Sequence, residues 1–381
     1  MARILCLSFS PLHTDPRVHR QIALLSREHE VTAAGFSDPQ LAGVSFINVN
    51  GPRKNIAQRA LAAARLLGRN FDAYYWNIGY IAAARRALHG REYDLIIAND
   101  SDTWPLAVAL RGSARLLFDA HEYAPREFED IWWWRWLHQP YRAHVCGKYL
   151  PAADAVTTVC DGIADEYARC FGVRPVVVMN APPRRDATPA PVPADRVRMI
   201  HHGAAIRSRR IETMILALDH LDERFSLDLM LVGNDVKYLA ELQRLAAARP
   251  RVRFRPAVPM QRIPEETRDY EVGLFLLEPT NFNYLHALPN KFFEFVQARL
   301  ALAIGPSPEM AKLIRAHDCG IVAADFTPAA LARALADLTP AVIERFKRNA
   351  HAAAATLCWE HESETLRRIV RHLLAHAPCA A

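Results

Sequence analysis

Short apolar runs alternate with amphipathic stretches along the whole chain, and most runs end in polar residues. Residues 4–8, 31–34, 93–98, 114–118 and 155–159 read as buried strands. Between the first two, residues 17–27 place Val18, Ile22, Ala23 and Leu25 on one helical stripe, and a helix follows the fifth run through Tyr167. Continuous apolar strands separated by helices predict a doubly wound parallel sheet, whose ligands gather at the carboxyl ends of the strands. Asp15, residues 99–102 and residues 119–122 stand at such ends.

Residues 180–194 read Asn-Ala-Pro-Pro-Arg-Arg-Asp-Ala-Thr-Pro-Ala-Pro-Val-Pro-Ala, too proline-rich for a helix or a central strand. The pattern then restarts, with strands at 198–202, 227–232, 252–254, 272–277, 301–304 and 320–323 and helices at 212–221 and 236–248. The expected division is a first α/β domain over 1–180, a linker over 181–195 and a second α/β domain over 196–357. An amphipathic helix ends the chain at 358–381. At 381 residues the chain is too long for one ordinary core.

Composition narrows the partners. The 51% hydrophobic and 23% charged shares are those of a soluble globular protein, and no 18-residue uncharged apolar run predicts a transmembrane helix. The first apolar run is short and leads straight into charged residues, so it reads as a strand and not a leader. Seven cysteines (Cys6, Cys146, Cys160, Cys170, Cys319, Cys358, Cys379) lack Cys-x-x-Cys spacing, which points to reduced thiols in the cytoplasm. A net charge of +6 favours an anionic partner. No nucleic-acid motif is present, so nucleic acid is not expected. Nor is a metal: His201 and His202 adjoin on a strand and point to opposite faces, and Asp100-Ser101-Asp102 has a spacing common by chance.

Candidate chemistry is densest at His286-Ala287-Leu288-Pro289-Asn290-Lys291-Phe292-Phe293-Glu294. A strand and a polar loop precede a helix that opens on Pro289-Asn290 with Lys291 in its first turn. A helix N-terminus with unpaired amides and a fixed cation suits a phosphate. Glu294, one turn on and on the same face, can accept hydrogen bonds from neutral hydroxyls. Phosphate and sugar hydroxyls together describe a nucleotide-sugar site; the competing reading is an ordinary surface ion pair between Lys291 and Glu294.

This segment resembles family 4 glycosyltransferases of the GT-B fold, many of which read Leu-Pro-Asn-Lys-x-x-Glu here. The resemblance implies two Rossmann-like domains facing a central cleft, with the last helix returning to the first domain. It implies sugar transfer from a nucleotide-diphosphate donor to a glycan or lipid-linked acceptor, with retention and without a cofactor, in cell-surface polysaccharide synthesis. Glu294 matches the ribose-holding Glu of the family's Glu-x7-Glu signature, while His286 replaces the first Glu. In Asp119-Ala120-His121-Glu122 the resemblance makes His121 a contact of the donor sugar, with Glu122 orienting it or the acceptor; a helix-cap cluster around Asp119 is the plainer reading.

The stretch from His201 through Gly203 to Arg210 follows the second domain's first strand. Family members clamp the diphosphate there with an Arg and a Lys. Here Ala204 replaces the Arg, Arg209 stands for the Lys, and Arg207 or Arg210 is the candidate substitute. Gly233, ending the next strand, completes the expected donor side. Asp15, Arg17, Asp102 and Asp119 are the acceptor-side candidates, with helix capping the plainer role at Asp15-Pro16-Arg17. A 2-epimerase of the same fold and a degenerate scaffold are the rival readings.

Two basic, apolar stretches suit the inner face of a membrane: residues 53–69, with Arg53, Lys54, Arg59, Arg65 and Arg69 among Ile56, Leu61, Leu66 and Leu67, and Trp132-Trp133-Trp134-Arg135-Trp136 with Tyr141 and Arg142. Ordinary helix packing, with tryptophans in a pocket, is the alternative for both.

Overall fold

The computed structural model describes residues 1–52, 55–233 and 235–375; Arg53, Lys54 and Cys379 lie outside them. The chain forms two compact units. The first takes Met1–Met179, Asn281–Asn283 and the last helix from Ser363 on; the second takes Asn180–Thr280 and Tyr284–Glu362.

The first unit is built on seven strands: β1 (Arg3–Leu7), β2 (Glu30–Gly35), β3 (Ser45–Asn48), β4 (Leu95–Asn99), β5 (Arg115–Ala120), β6 (Ala155–Thr158) and β7 (Val176–Val177). All pair in parallel in the order β3-β2-β1-β4-β5-β6-β7. Ile4, Leu5, Cys6 and Leu7 are fully buried, as a central strand covered on both faces requires. The two strands not expected from sequence are short and partly exposed, so they lack the continuous apolar run of the others.

The second unit has β8 (Val197–Ala204), β9 (Phe225–Val232), β10 (Val252–Phe254), β11 (Val272–Phe275), β12 (Ala301–Ile304) and β13 (Gly320–Val322). Their order, β10-β9-β8-β11-β12-β13 and all parallel, is the doubly wound dinucleotide-fold order. In both sheets the order reverses beside the first strand, at β1/β4 and β8/β11. The expected helix at 212–221 stops at Ala217 and tightens into a 3-10 turn over Leu218–His220.

Three local features set the positions of the candidate residues. Asp15 caps helix Pro16–Leu25, accepting from the Val18 amide at 3.2 Å. A Cβ on Gly273 of β11 would come within 2.3 Å of the Phe295 ring, so only glycine lets helix Asn290–Gln297 pack so close to the sheet. Residues 180–194 form no helix or strand and are held by side chains: the Arg185 amide donates to Gln297 Oε1 at 2.9 Å, and Arg299 Nη2 donates to the Arg185 carbonyl at 2.6 Å.

Two helices of the first unit carry apolar residues into solvent. Ile56–Leu67 buries only Leu66 and is 86% exposed at Ile56. Trp132–Tyr149, which contains Pro140, exposes Trp132, Trp133 and Trp136 while Trp134 is buried. No helix of the described residues is long and apolar enough to cross a membrane.

Candidate functional site

In the first unit, the ends of β4 and β5 converge on His121. Asp100, just past β4, adopts a left-handed backbone (φ 63°) that turns its carboxylate toward β5. Asp100 Oδ1 accepts from the His121 amide at 3.1 Å, and Oδ2 lies 3.2 Å from His121 Nδ1. On the other side of the ring, Nε2 lies 3.2 Å from Asn99 Oδ1 and 3.4 Å from Asp119 Oδ2. Burial alone would favour a neutral ring, but Asp100 and then Asp119 outweigh it and raise the His121 pKa to about 10. His121 is therefore an imidazolium with both nitrogens engaged. Asp100, Asn99 and Asp119, and not Glu122, orient the ring.

Asp119 and Arg17 also differ from expectation. Arg17 Nε and Nη2 each donate to Asp119 at 2.7 Å, and Nη1 donates to the Val178 carbonyl at 2.7 Å. Thr157 Oγ1 adds a 2.7 Å bond to Asp119. Both residues are buried, so neither presents a group to an acceptor, and Asp119 caps no helix; the pair is an internal brace behind His121. Asp15 spends one carboxylate oxygen on its helix cap and accepts from Ser10 Oγ at 2.8 Å on the other.

Asp100, Ser101, Asp102, His121, Glu122, Ala124, Glu127 and Arg142 line a cavity of about 210 Å³. Arg142 bonds Asp102, donates to Ser101 Oγ at 3.1 Å and lies 3.5 Å from Glu127. Glu122 reaches solvent, yet desolvation in the recess, then the charges of Glu127 and Asp100, push its carboxyl up to about 7. That carboxyl makes no hydrogen bond or ion pair with the described residues. Sequence reasoning missed Asp100 and Glu127 as members of this cavity and noticed Arg142 only beside the tryptophans. The polar end of β4 was the one signal for Asp100; Glu127 lies in a turn with no periodic pattern.

In the second unit, β8, β11 and helix Asn290–Gln297 meet around Lys291. Its Nζ is buried, has no hydrogen-bond partner among the described residues and sits 4.4 Å from the centre of the Phe275 ring. Pro289 precedes the helix in extended conformation, and Asn290 Oδ1 is also buried without a partner among the described residues. Gly203 lies near the end of β8 at φ 121°, and a Cβ there would stand 3.0 Å from Lys291 Nζ. Desolvation, then repulsion from nearby Arg209, lowers the Lys291 pKa to about 7, against a smaller opposing pull from Glu294. Lys291 and Glu294 are both buried, so a solvated surface ion pair is excluded.

His201 and His202 complete this lining. His201 Nδ1 lies 2.9 Å from the Leu274 carbonyl and its ring stacks on Phe275. His202 Nε2 is 3.5 Å from Glu294 Oε2. Burial, then Lys291, holds both imidazoles well below their usual range, His202 at about 3. Arg209 stays beside Lys291, its Nη1 3.4 Å from the Ala204 carbonyl. Of the candidate substitute cations, Arg207 forks onto Glu241 at 2.7 and 2.9 Å, and Arg210 bonds Glu278. His286 Nδ1 lies 3.2 Å from Glu309 Oε1, and Leu288 is buried beneath the loop. A Cβ on Gly233 would meet Ala205 Cβ at 3.1 Å, so that glycine keeps the β8 and β9 ends close. No group of three metal-ligating side chains is found among the described residues.

Two parallel dinucleotide-type sheets with sites at their switch points define the GT-B class, and solved structures of that class share the fold. Sucrose-phosphate synthase from Thermosynechococcus elongatus matches at TM-score 0.75 and 16% identity over 98% of this chain and 100% of that one. HepE from Anabaena, solved with UDP-glucose, matches at 0.71 and 13% over 98% and 100%. WaaG, a glycosyltransferase involved in lipopolysaccharide biosynthesis, matches at 0.66 and 14% over 96% and 99%. No curated protein sequence matches the chain. Residues 21–181 match the Glycosyltransferase Family 4 model, and the fold of the chain is that of the GT-B structures.

Proposed function

We propose that this protein transfers a hexosyl group from a nucleoside-diphosphate sugar to a glycan or lipid-linked acceptor, with retention, in cell-surface polysaccharide synthesis. The observation that carries the reading is Lys291 Nζ: a buried nitrogen, unpartnered among the described residues, at a helix N-terminus beside a second cation, Arg209. Such a group is costly to bury until an anion meets it. A diphosphate would take its charge from Lys291, Arg209 and the amides of Asn290 and Lys291, without a metal or cofactor. Gly203 leaves room for the Lys291 ammonium at that seat, Gly233 holds the neighbouring strand ends together, and Glu294 would accept from ribose hydroxyls. His286, paired with Glu309, would face the sugar where relatives carry a Glu. Likeness to HepE, whose structure holds UDP-glucose, makes a uridine diphosphate sugar the first donor to try.

In the reaction, the bond from sugar C1 to the phosphate oxygen breaks and its electron pair leaves with the diphosphate. The acceptor hydroxyl oxygen bonds C1 from the same face, and its proton passes to the departing phosphate oxygen. Lys291 and Arg209 stabilise the charge that develops there. The first unit would bind the acceptor through the cavity of Asp102, Glu122 and Glu127, and the His121 carbonyl would stabilise positive charge on the sugar.

The exposed apolar side chains of Ile56, Leu61, Leu67, Trp132, Trp133 and Trp136 would rest the first unit on the inner face of a membrane. Exposed Arg59, Arg69 and Arg135 lie on or beside the same two helices, which pack together, and helix Ile56–Leu67 contains no acidic residue. That composition fits anionic headgroups.

The decisive experiment incubates purified protein with UDP-glucose in EDTA and follows UDP release and glucosyl product. Release abolished by Lys291→Ala and by Arg209→Ala supports transfer. An isomerised nucleotide sugar would identify an epimerase, and failure to bind any nucleotide sugar would identify a degenerate scaffold.

A further inference from the structure

We infer that the acceptor group seated in the Glu122 cavity is uncharged or carries a protonated amine, and that phosphorylated acceptors are refused. The inference rests on the reading of the first unit as the acceptor side. In that cavity carboxyl groups outnumber cations, and the cations are already bonded to them.

Four carboxyl groups (Asp100, Asp102, Glu122, Glu127) face two cations, His121 and Arg142. The His121 ring is held between Asp100 on one nitrogen and Asn99 and Asp119 on the other. The Arg142 guanidinium bonds Asp102 and Ser101 and lies within reach of Glu127. Both His121 nitrogens are engaged, and the one Arg142 nitrogen without a partner among the described residues, Nε, is buried away from solvent. Glu122 is the surplus: its carboxylate has no partner among the described residues and opens on the cavity. Burial comes first in raising the carboxyl pKa values of Glu122 and Glu127; neighbouring carboxylates add to the rise at both, and at Glu127 Arg142 opposes it.

Above about pH 7, where Glu122 is mostly ionised, its carboxylate only accepts hydrogen bonds, so it suits sugar hydroxyls and suits an ammonium better. A phosphate brought to the same place meets acceptors and like charge, which disfavours it. The Lys291 seat of the second unit has the opposite character: cations and amides that an anion would complete. Anionic and non-anionic parts of the reactants are thereby sorted to different seats, and an acceptor bearing phosphate would compete at the wrong one.

Saturation-transfer NMR on the full chain, held in saturating UDP to block the Lys291 seat, reads binding of glucose, glucosamine and glucose 6-phosphate. Glucosamine is expected to bind at least tenfold more tightly than glucose 6-phosphate, with glucose between them. Glu122→Gln should remove most of the amine's advantage, and Glu127→Gln part of it. A phosphate bound as well as the amine, silence from all three sugars, or an order unmoved in both variants would overturn the inference. Calorimetry of UDP alone reports separately on the nucleotide-sugar reading; if UDP does not bind, that reading fails while the order of the three sugars is still measured without it.

Discussion

Gly203 and Lys291 approach so closely that a β-carbon on the glycine would lie 3.0 Å from the lysine's nitrogen. The glycine also holds φ 121°, where side chains are strained at a cost of order 1–3 kcal/mol. Gly203→Ala should therefore push the ammonium aside and raise the dissociation constant for UDP about tenfold, or about 1.4 kcal/mol by calorimetry. Unchanged affinity in a folded variant would count against Lys291 as the phosphate ligand.

Lys291 also predicts a pH dependence. Its pKa in the free protein is about 7, and Arg209, Glu294, His201 and His202 are the charged or titratable groups around it. A bound diphosphate favours the ammonium and raises that pKa, so binding takes up a proton above pH 7. Affinity for UDP-glucose, whose diphosphate stays ionised throughout, should be level below about pH 7 and fall by up to tenfold per unit above it. Lys291→Met should bind weakly with a flat profile. A wild-type affinity that climbs with pH would refute this.

His121 predicts a pH dependence of stability. Its pKa is raised from 6.5 to about 10, so its stabilisation is complete below pH 6.5 and is lost as pH rises to about 10. Urea denaturation from pH 6 to 10 should show the wild type losing stability across that window, with His121→Asn showing a shallower slope. Parallel curves for the two proteins would rule out the imidazolium.

The Arg17–Asp119 brace is a buried ion pair, and removing one member strands the other. Arg17→Ala and Asp119→Ala should each cost about 3–5 kcal/mol in denaturant titrations. The double change Arg17→Met with Asp119→Leu should cost clearly less than the sum. Strict additivity would show that the two act independently.

Membrane contact is checked by flotation with vesicles of phosphatidylcholine alone or mixed with phosphatidylglycerol. The wild type should float only with the anionic mixture, and Trp132→Ser with Trp136→Ser should reduce the floating fraction severalfold. Equal flotation of the wild type on both vesicles would show that charge does not direct the contact.

Much of the architecture was legible because parallel sheets bury both faces: β1, β4 and β5 announce themselves as unbroken apolar runs. β3 and β7 did not, since their residues are partly solvated and their pairing is decided by neighbours elsewhere in the sheet. Lys291 and Asn290 were legible because a helix start is local. Arg17 and Asp119 were not, because 102 residues separate partners that only the folded sheet brings together. The same holds for Arg142, whose place beside Asp102 is invisible in the tryptophan-rich segment around it.

Pro140, inside helix Trp132–Tyr149, has no amide to offer the carbonyl of Trp136 one turn earlier. The rung is missing between the tryptophan-bearing end of that helix and the stretch that carries Arg142. A bend at this weak rung would shift the aromatic end while leaving the guanidinium two residues beyond the proline on Asp102.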